Sequence, residues 1–400
     1  MNVLFLTLAR FYDANGRGIY TDLMRKFRDE GHQVYVVSPR ERRLGVESSL
    51  TCQDGINILA VKTLNLEMTS IIEKGLATLL IENQYEKAVD KYLKGIKFDL
   101  ILFSTPPITF TKVIKKMKKK YNAKSYLLLK DIFPQNAVDL EMFSKKSPLY
   151  WLFRRKEEAL YRVSDYIGCM SPANVDFVVS NNPTVDKTKV EVCPNSIELV
   201  KLPEINKNEI RKRYGLPTDK PIFIYGGNLG KPQGVGFLME VLEANAERND
   251  CFFLVIGAGT EFSKIKEWFE KHQPKSAKLM AGLPKQEYDD LVRCCDVGLI
   301  FLDRRFTIPN YPSRLLSYME NKMPVLAATD KNTDIGKIAQ ENGYGFWCES
   351  LKAAEFTTLI DKFVKNTSLI THMGNKAFQY LLANYQVGNT YQVIMSHMKD

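Results

Sequence analysis

The stretch of this sequence best suited to chemistry is residues 222–242, IFIYGGNLGKPQGVGFLMEVL. Ile222-Phe223-Ile224-Tyr225 has the length and the β-branched, aromatic content of a buried strand. Gly226 and Gly227 stop it. A loop follows over Asn228 to Gln233, and Val235, Leu238, Met239 and Leu242 then share one helical face. A strand, a glycine-rich loop and a helix start aim unpaired backbone N–H groups and the positive helix end at one point, which suits a phosphate. Lys231 adds mobile positive charge there. An ordinary βα turn punctuated by glycine fits the same residues. Two familiar nucleotide motifs fail. A Walker A loop needs glycine at Tyr225 and a hydroxyl residue at Pro232. A dinucleotide fingerprint at Gly257-Ala258-Gly259 lacks its third glycine, because Phe262 holds that position. His32, His272, His372 and His397 lie far apart, and the seven scattered cysteines have no metal spacing. They read as reduced, mostly buried thiols in a reducing compartment.

The chain that must position this loop has 400 residues, 45% hydrophobic and 26% charged, with a net charge of +10. That is a globular composition with room for about two or three domains. No apolar run approaches the ~20 residues of a membrane span. The run from Ile71-Ile72 to Leu79-Leu80-Ile81 is broken by Glu73 and Lys74. The N-terminal MNVLFL lacks a basic leader and a cleavage site, so a cytoplasmic protein is expected. Residues 101–150 hold ten Lys and three Asp/Glu, a surplus of seven. Most of it lies in residues 112–124, where Val113, Met117 and Tyr121 recur at four-residue spacing beneath a lysine-covered face. This is either a solvated outer helix of a βαβ unit or a surface drawn to anionic lipid headgroups, at about 1 kcal/mol per well-placed Lys. No aromatic-interleaved basic motif or known module points to nucleic acid.

Strands are expected at 3–8, 33–38, 56–61, 99–104, 125–129, 166–170 and 190–193. Helices are expected at 19–30, stopped by Gly31, and over most of 64–93, with Leu76, Leu79 and Leu80 as its apolar groups. The alternation predicts an α/β, doubly wound parallel sheet over residues 1–200. Residues 201–220, rich in Lys, Glu, Asn and Pro, read as a linker. Alternation restarts over 221–378, with strands at 222–225, 251–256, 278–280, 297–301, 324–327 and 345–347. Residues 379–400 read as a final helix packing back on the N-terminal domain. Two Rossmann-like halves imply a cleft between them.

Four segments make the chain recognisable. They are the opening strand and loop with Gly31-His32-Gln33-Val34; Asp131-Ile132-Phe133-Pro134-Gln135 with Leu160-Tyr161-Arg162-Val163-Ser164-Asp165 and Ser171-Pro172; Gly227-Asn228-Leu229-Gly230 to Gln233-Gly234; and Tyr311-Pro312-Ser313-Arg314-Leu315-Leu316-Ser317-Tyr318-Met319 leading to Pro324-Val325. In order and spacing they resemble the retaining glycosyltransferases of the GT-B fold, in the large bacterial group numbered family four. The nearest likeness is to transferases of capsule and O-antigen assembly, including those proposed to add N-acetylfucosamine.

The resemblance implies that the second domain holds a nucleoside-diphosphate sugar, with UDP as the expected nucleotide, and that fixed donors stabilise the diphosphate without a metal. Asn228 and Gln233 fall where relatives often carry Arg and Lys, with Lys231 beside them. Pro312 and Ser313 are helix-start signals, and the resemblance turns that helix end and Arg314 toward the diphosphate. The Glu pair that relatives space by seven residues falls on Pro309 and Ser317. Glu320, on the same helix face as Ser317, is the substitute for a ribose-binding carboxylate, or else a solvent-exposed charge. Lys322 stands where relatives carry Gly. Gly257 and Gly259 either admit the nucleoside or form a tight turn, and Leu283-Pro284 matches a loop flanking the base. In the first domain Gly16, Arg17 and Gly18 fall near the donor sugar and phosphates. Asp131 either orients or deprotonates the acceptor hydroxyl or serves as a helix N-cap or turn residue. The acceptor implied is a lipid-diphosphate-linked saccharide at the cytoplasmic membrane face. A nucleotide-sugar 2-epimerase on the same fold and a non-catalytic binding protein are the alternatives. The sparse histidines disfavour the epimerase, and the missing Glu pair favours the binding protein.

Overall fold

The computed structural model describes residues 1–66, 69 and 71–398. The chain divides into two compact units: Met1–Glu198 with the segment from Val387 on, and Leu199–Gln386. In the first unit the order is β1 (Asn2–Leu6), α1 (Ile19–Asp29), β2 (Gln33–Glu41), β3 (Ser49–Gln53), β4 (Ile56–Thr63), α2 (Ile71–Tyr92), β5 (Leu100–Ser104), α3 (Thr111–Tyr121), β6 (Lys124–Leu129), α4 (Gln135–Asp139), α5 (Pro148–Val163), β7 (Tyr166–Cys169), α6 (Pro172–Asn181) and β8 (Val190–Val192). The sheet runs β3-β4-β2-β1-β5-β6-β7-β8. All pairs are parallel except β3 on β4. Strands such as β5, LILFS, are buried at every residue, as expected of a parallel sheet covered on both faces.

The second unit contains α7 (Lys207–Arg213), β9 (Ile222–Asn228), α8 (Val235–Ala244), β10 (Phe252–Ala258), α9 (Phe262–His272), β11 (Ala277–Ala281), α10 (Lys285–Arg293), β12 (Val297–Phe301), α11 (Arg314–Glu320), β13 (Val325–Thr329), α12 (Ile335–Glu341), β14 (Gly345–Glu349), α13 (Ala353–Lys365) and α14 (Ser368–Asn384). Its six strands, in order β11-β10-β9-β12-β13-β14, are all parallel. The chain then re-enters the first unit as α15 (Val387–Ser396).

Two expectations change. Residues 201–220 are not a free linker, because α7 belongs to the second unit. Its Arg211 is buried, donating to the Cys294 carbonyl at 2.8 Å and to Asp296 at 2.6 Å. A linker-like composition therefore conceals a neutralised, packed cation. The second unit accordingly extends beyond 221–378 at both ends. The final helical stretch is two helices, and α14 stays with the second unit while α15 packs on the first. The helix expected over most of 64–93 is α2, and its Leu76, Leu79 and Leu80 are each 44–51% exposed. Glu67, Met68, Ser70, Lys399 and Asp400 lie outside the described residues.

α15 closes the first unit over α1. Ile394 is fully buried, the Tyr391 hydroxyl and His32 Nε2 are 2.9 Å apart, and His397 Nε2 lies 2.8 Å from Glu191. Ile394→Ala is expected to lower the stability of this unit by about 2–5 kcal/mol through a cavity that its neighbours fill only in part. Hydrogen exchange in urea checks it: the amides of α1 lose protection early and those of β9 do not.

Candidate functional site

In the second unit the sequence places two glycine-rich strand ends side by side. Gly227 is paired with Gly257 and Asn228 with Ala258 across β9 and β10. A Cβ on Gly257 would lie 1.8 Å from the Gly227 carbonyl oxygen, and one on Gly259 2.4 Å from Leu229 backbone atoms. These two glycines therefore let two strand ends touch each other. Leu229 N–H donates to the Ala258 carbonyl at 2.9 Å, and Glu261 N–H to the Leu229 carbonyl at 2.9 Å. Close backbone approach requires both glycines, Gly257 inside β10 and Gly259 in the turn after it.

Above this lip sits Arg314, the first residue of α11. Its guanidinium carbon lies 4.3 Å from the centre of the Tyr225 ring, a cation–π platform. Nη2 donates to Gln233 Oε1. Nη1 is buried and has no hydrogen-bond partner. A Cβ on Gly227 would stand 4.0 Å from this guanidinium. Tyr225 in turn donates to the Asn228 carbonyl at 2.8 Å, which fixes the loop. An orphaned N–H on a buried cation is costly unless a ligand or water completes it, and an oxyanion is the group that completes it best.

The other residues named from sequence spread around this point. Lys231 is exposed, in a short turn with Gln233 that leads into α8. The Asn228 side chain is exposed, and Leu283 is half-buried just before Pro284 and α10. Pro312 and Ser313 do stand just before α11, as helix-start signals should, but the Ser313 side chain caps nothing. The signal there is the guanidinium, not the end of a seven-residue helix. Ser317 and Glu320 are both half-buried, and the Ser317 carbonyl accepts from Asn321 Nδ2 at 2.8 Å. Pro309 is buried. Its segment is tied to the loop after β13 by Asn310 N–H to Thr333 Oγ1 at 3.0 Å and Asn332 Nδ2 to the Phe306 carbonyl at 2.8 Å.

In the first unit, Asp131 follows β6. Thr105 Oγ1, after β5, accepts from the backbone N–H of Lys130 at 3.0 Å and of Asp131 at 3.2 Å. Asn136 Nδ2 donates to Asp131 Oδ1 at 2.8 Å, while Asn136 Oδ1 is buried without a partner. Burial raises the Asp131 pKa above the usual carboxylate value, against the opposing bonds from Asn136 and the Ile132 backbone. Asp131 caps no helix, since α4 starts at Gln135 after Pro134. Its neighbour Lys130 reaches the Cys193 carbonyl at 3.3 Å, and burial pushes its ammonium down to about 8.

Gly16, Arg17 and Gly18 follow β1 and are fastened within their own unit. Arg25 Nη1 donates to the carbonyls of Ala14 at 2.8 Å and Gly16 at 2.7 Å, and Arg25 pairs with Asp22 at 2.6 Å. Gly18 N–H donates to Asp22 at 3.0 Å, and Arg17 Nη2 to the Glu198 carbonyl at 3.3 Å. The sequence reading missed Tyr225, Thr105, Asn136 and the Asp22–Arg25 pair. Asn136 had a local signal, five residues after Asp131 and next to Gln135, and so had Asp22 and Arg25, three apart on α1. Tyr225 and Thr105 reach their partners only through the fold. Among the described residues no three His, Cys, Asp or Glu side chains converge as metal ligands would.

The basic stretch 112–124 is also less free than its composition implies. Lys116 pairs with Glu86 and Asp90 at 2.7 Å each, Lys118 with Asp165 at 2.7 Å, and Lys120 with Asp90 at 4.0 Å. Lys124 donates to the His397 carbonyl at 2.7 Å. No helix among the described residues is long and apolar enough to cross a membrane.

Two Rossmann-like α/β units with these parallel sheets are the GT-B fold. The solved structure of HepE from Anabaena in complex with UDP has the same fold, with a TM-score of 0.70 at 15% identity, over 100% of this chain and 99% of that one. Residues 206–380, nearly all of the second unit, match the family described as glycosyl transferases group 1. Among curated proteins, the probable glycosyltransferase WbjE of Pseudomonas aeruginosa is 23% identical over 277 residues, 66% of each chain. The putative colanic acid biosynthesis glycosyl transferase WcaI of Escherichia coli is 24% identical over 155 residues, 37% of each chain. The chain thus matches just under two thirds of the length of the first relative and well under half of the second.

Proposed function

We propose that the protein is a glycosyltransferase of bacterial polysaccharide synthesis. It moves a sugar, an N-acetylated deoxyhexosamine such as N-acetylfucosamine in the specific reading, from UDP to a polyprenyl-diphosphate-linked saccharide of capsule or O-antigen assembly, with retention and without a metal. The observation that carries this reading is Arg314, a half-buried cation on an aromatic platform whose Nη1 is buried and unmatched. A leaving diphosphate develops negative charge, and a fixed guanidinium stabilises it without reorganising at the moment of reaction. Exposed Lys231 supplies a second cation. In the first unit, Asp131 and the Asn136 carbonyl oxygen are acceptors for a sugar hydroxyl, and Asp131 orients that hydroxyl while the departing phosphate takes its proton. The polysaccharide setting is supported by what the relatives are named for, and UDP by the solved neighbour that holds it. Work at the cytoplasmic face of the membrane follows from the acceptor.

Titration calorimetry with UDP-, GDP- and dTDP-sugars, followed by a product assay, tests this. No binding to any of them rejects the reading. Binding without transfer or hydrolysis moves the protein to the non-catalytic reading that Pro309 and Ser317 favour.

Asp131→Asn is expected to cut turnover by about a hundredfold or more while leaving UDP affinity unchanged. The same change is expected to raise Tm at neutral pH. The folded protein binds the Asp131 proton more tightly than the unfolded chain does. Stability therefore falls as pH rises from the unfolded pKa through the raised folded one, and stays reduced above it. Asn removes that cost at pH 7, and it changes nothing below both pKa values. Thermal melts at pH 7 and pH 3 check the sign. The wild-type rate is expected to fall with decreasing pH at a higher pH than an ordinary aspartate would give.

A further inference from the structure

The edge of the first sheet where its parallel strands end holds unmatched polar groups beyond Asp131 and Asn136. Asn195 follows β8, after Cys193 and Pro194, and is only 9% exposed. Its Oδ1 is buried without a partner, and among the described residues its amide nitrogen makes no hydrogen bond either. A buried amide that bonds to nothing is costly. Burial alone does not explain it. The next residue, Ser196, is buried as well, yet its Oγ lies 2.7 Å from Thr390 Oγ1.

Lys130 reaches the same place from β6. Thr105 Oγ1 anchors its backbone together with that of Asp131. In the sheet order β6-β7-β8 the Lys130 side chain must pass β7, and its Nζ lies 3.3 Å from the carbonyl of Cys193, two residues before Asn195. Among the described residues this ammonium has no carboxylate partner. The titratable groups facing it are the thiols of Cys169 and Cys193, both fully buried. Nothing here supplies a counter-charge.

A donor and an orphaned acceptor therefore stand together at the end of β8. Lys130 offers N–H groups. Asn195, whichever way its amide is turned, offers a carbonyl oxygen and an NH2. A phosphate or carboxylate would take the donors and leave the Asn195 carbonyl unmatched. A hydroxyl would have to meet both residues with one oxygen. A secondary amide presents a separate acceptor to Lys130 and a separate donor to Asn195. We infer that Lys130 and Asn195 hold the acetamido group of an N-acetylated sugar in the acceptor saccharide. Assigning that group to the acceptor rests on the role proposed above for Asp131, since Lys130 and Asp131 are consecutive and share the Thr105 anchor. The ends of β6 and β8 are two strand spacings apart, about 10 Å. A short saccharide covers that span with one hydroxyl at Asp131 and its acetamido group at Asn195.

N-Acetylglucosamine 1-phosphate and glucose 1-phosphate, which differ only in the acetamido group, are the probes. Titrated into the full-length protein in the presence of UDP and followed by ligand-observed NMR, the first is expected to bind at least tenfold more tightly. A site built to hydrogen-bond a group rejects the analogue that lacks it. Asn195→Ala is expected to bring the two probes within twofold of each other while UDP affinity stays as in wild type. Because it removes an unmatched amide, it is not expected to lower Tm. Lys130→Met is expected to narrow the preference in the same direction, and keeps the test open should either variant fold poorly. The inference is overturned if wild type binds both probes alike, or if either folded variant keeps the full preference. Tighter binding of glucuronic acid 1-phosphate than of both probes would make the ligand a carboxylate and overturn it too. So would a preference seen only between UDP-N-acetylglucosamine and UDP-glucose, which puts the acetamido group on the donor. A preference for the N-acetylated 1-phosphate in a protein that binds no UDP would support the amide site and reject the transferase reading alone.

Discussion

Replacing Arg314 with alanine is expected to weaken UDP binding by about ten- to a hundredfold, the most specific loss any single substitution here would cause. Charge-assisted bonds to an anion contribute about 1.5–3 kcal/mol, and each 1.4 kcal/mol is about tenfold in affinity. Arg314→Lys is not expected to restore it. One ammonium cannot bond to Gln233, lie over the Tyr225 ring and present a second nitrogen to phosphate at the same time. Stability gives the complementary reading. The free protein holds a half-buried cation whose buried Nη1 has no partner, so Arg314→Ala is expected to leave Tm unchanged or slightly raised. Calorimetry with UDP beside a thermal melt separates the two effects. Unchanged affinity in the alanine variant would remove Arg314 from the site.

Gly257→Ala is expected to act in the opposite way, through the scaffold. Its methyl would stand 1.8 Å from the Gly227 carbonyl oxygen, and that oxygen belongs to backbone that can yield only by moving the end of β9. Overpacking of this kind typically costs about 1–3 kcal/mol, and here it also displaces the lip beneath Arg314. Both Tm and UDP affinity are expected to fall together. Gly282→Ala is the control, since its Cβ would meet nothing closer than 4.0 Å. If Gly257→Ala melts and binds as wild type does, the contact between the two strand ends does not organise the site.

How much of this could be read beforehand depended on burial. Parallel strands covered on both faces appear as unbroken apolar runs, so β5, β6, β9, β10 and β12 were legible to within a residue or two at one end and up to three at the other. β3 was not. Its SLTCQ is exposed or half-exposed throughout and pairs antiparallel at the sheet edge, so no apolar pattern marks it. Arg211 was hidden because a basic stretch looks the same whether its charges are solvated or neutralised. Leu76, Leu79 and Leu80 misled for the converse reason: apolar spacing signals a face but not what that face meets. At the candidate site, Arg314 and the glycines stood out by type and position. The bond from Arg314 to Gln233, 81 positions away, and the Tyr225 platform exist only once β9 and α11 are neighbours. Asp131 was identified by its neighbours in sequence, but its shifted acidity comes from burial that no local pattern states.

The return of α15 to the first unit has a consequence for biosynthesis. The ribosome releases residues 199–386 as one uninterrupted stretch, so that unit can complete itself while translation continues. The earlier-made unit cannot. Phe27 and His32 await Tyr391, and the nascent chain carries an uncovered hydrophobic strip over α1 until α15 has been made. Vectorial synthesis thus leaves the first-made half as the last to mature, and makes it the half a chaperone would need to shelter.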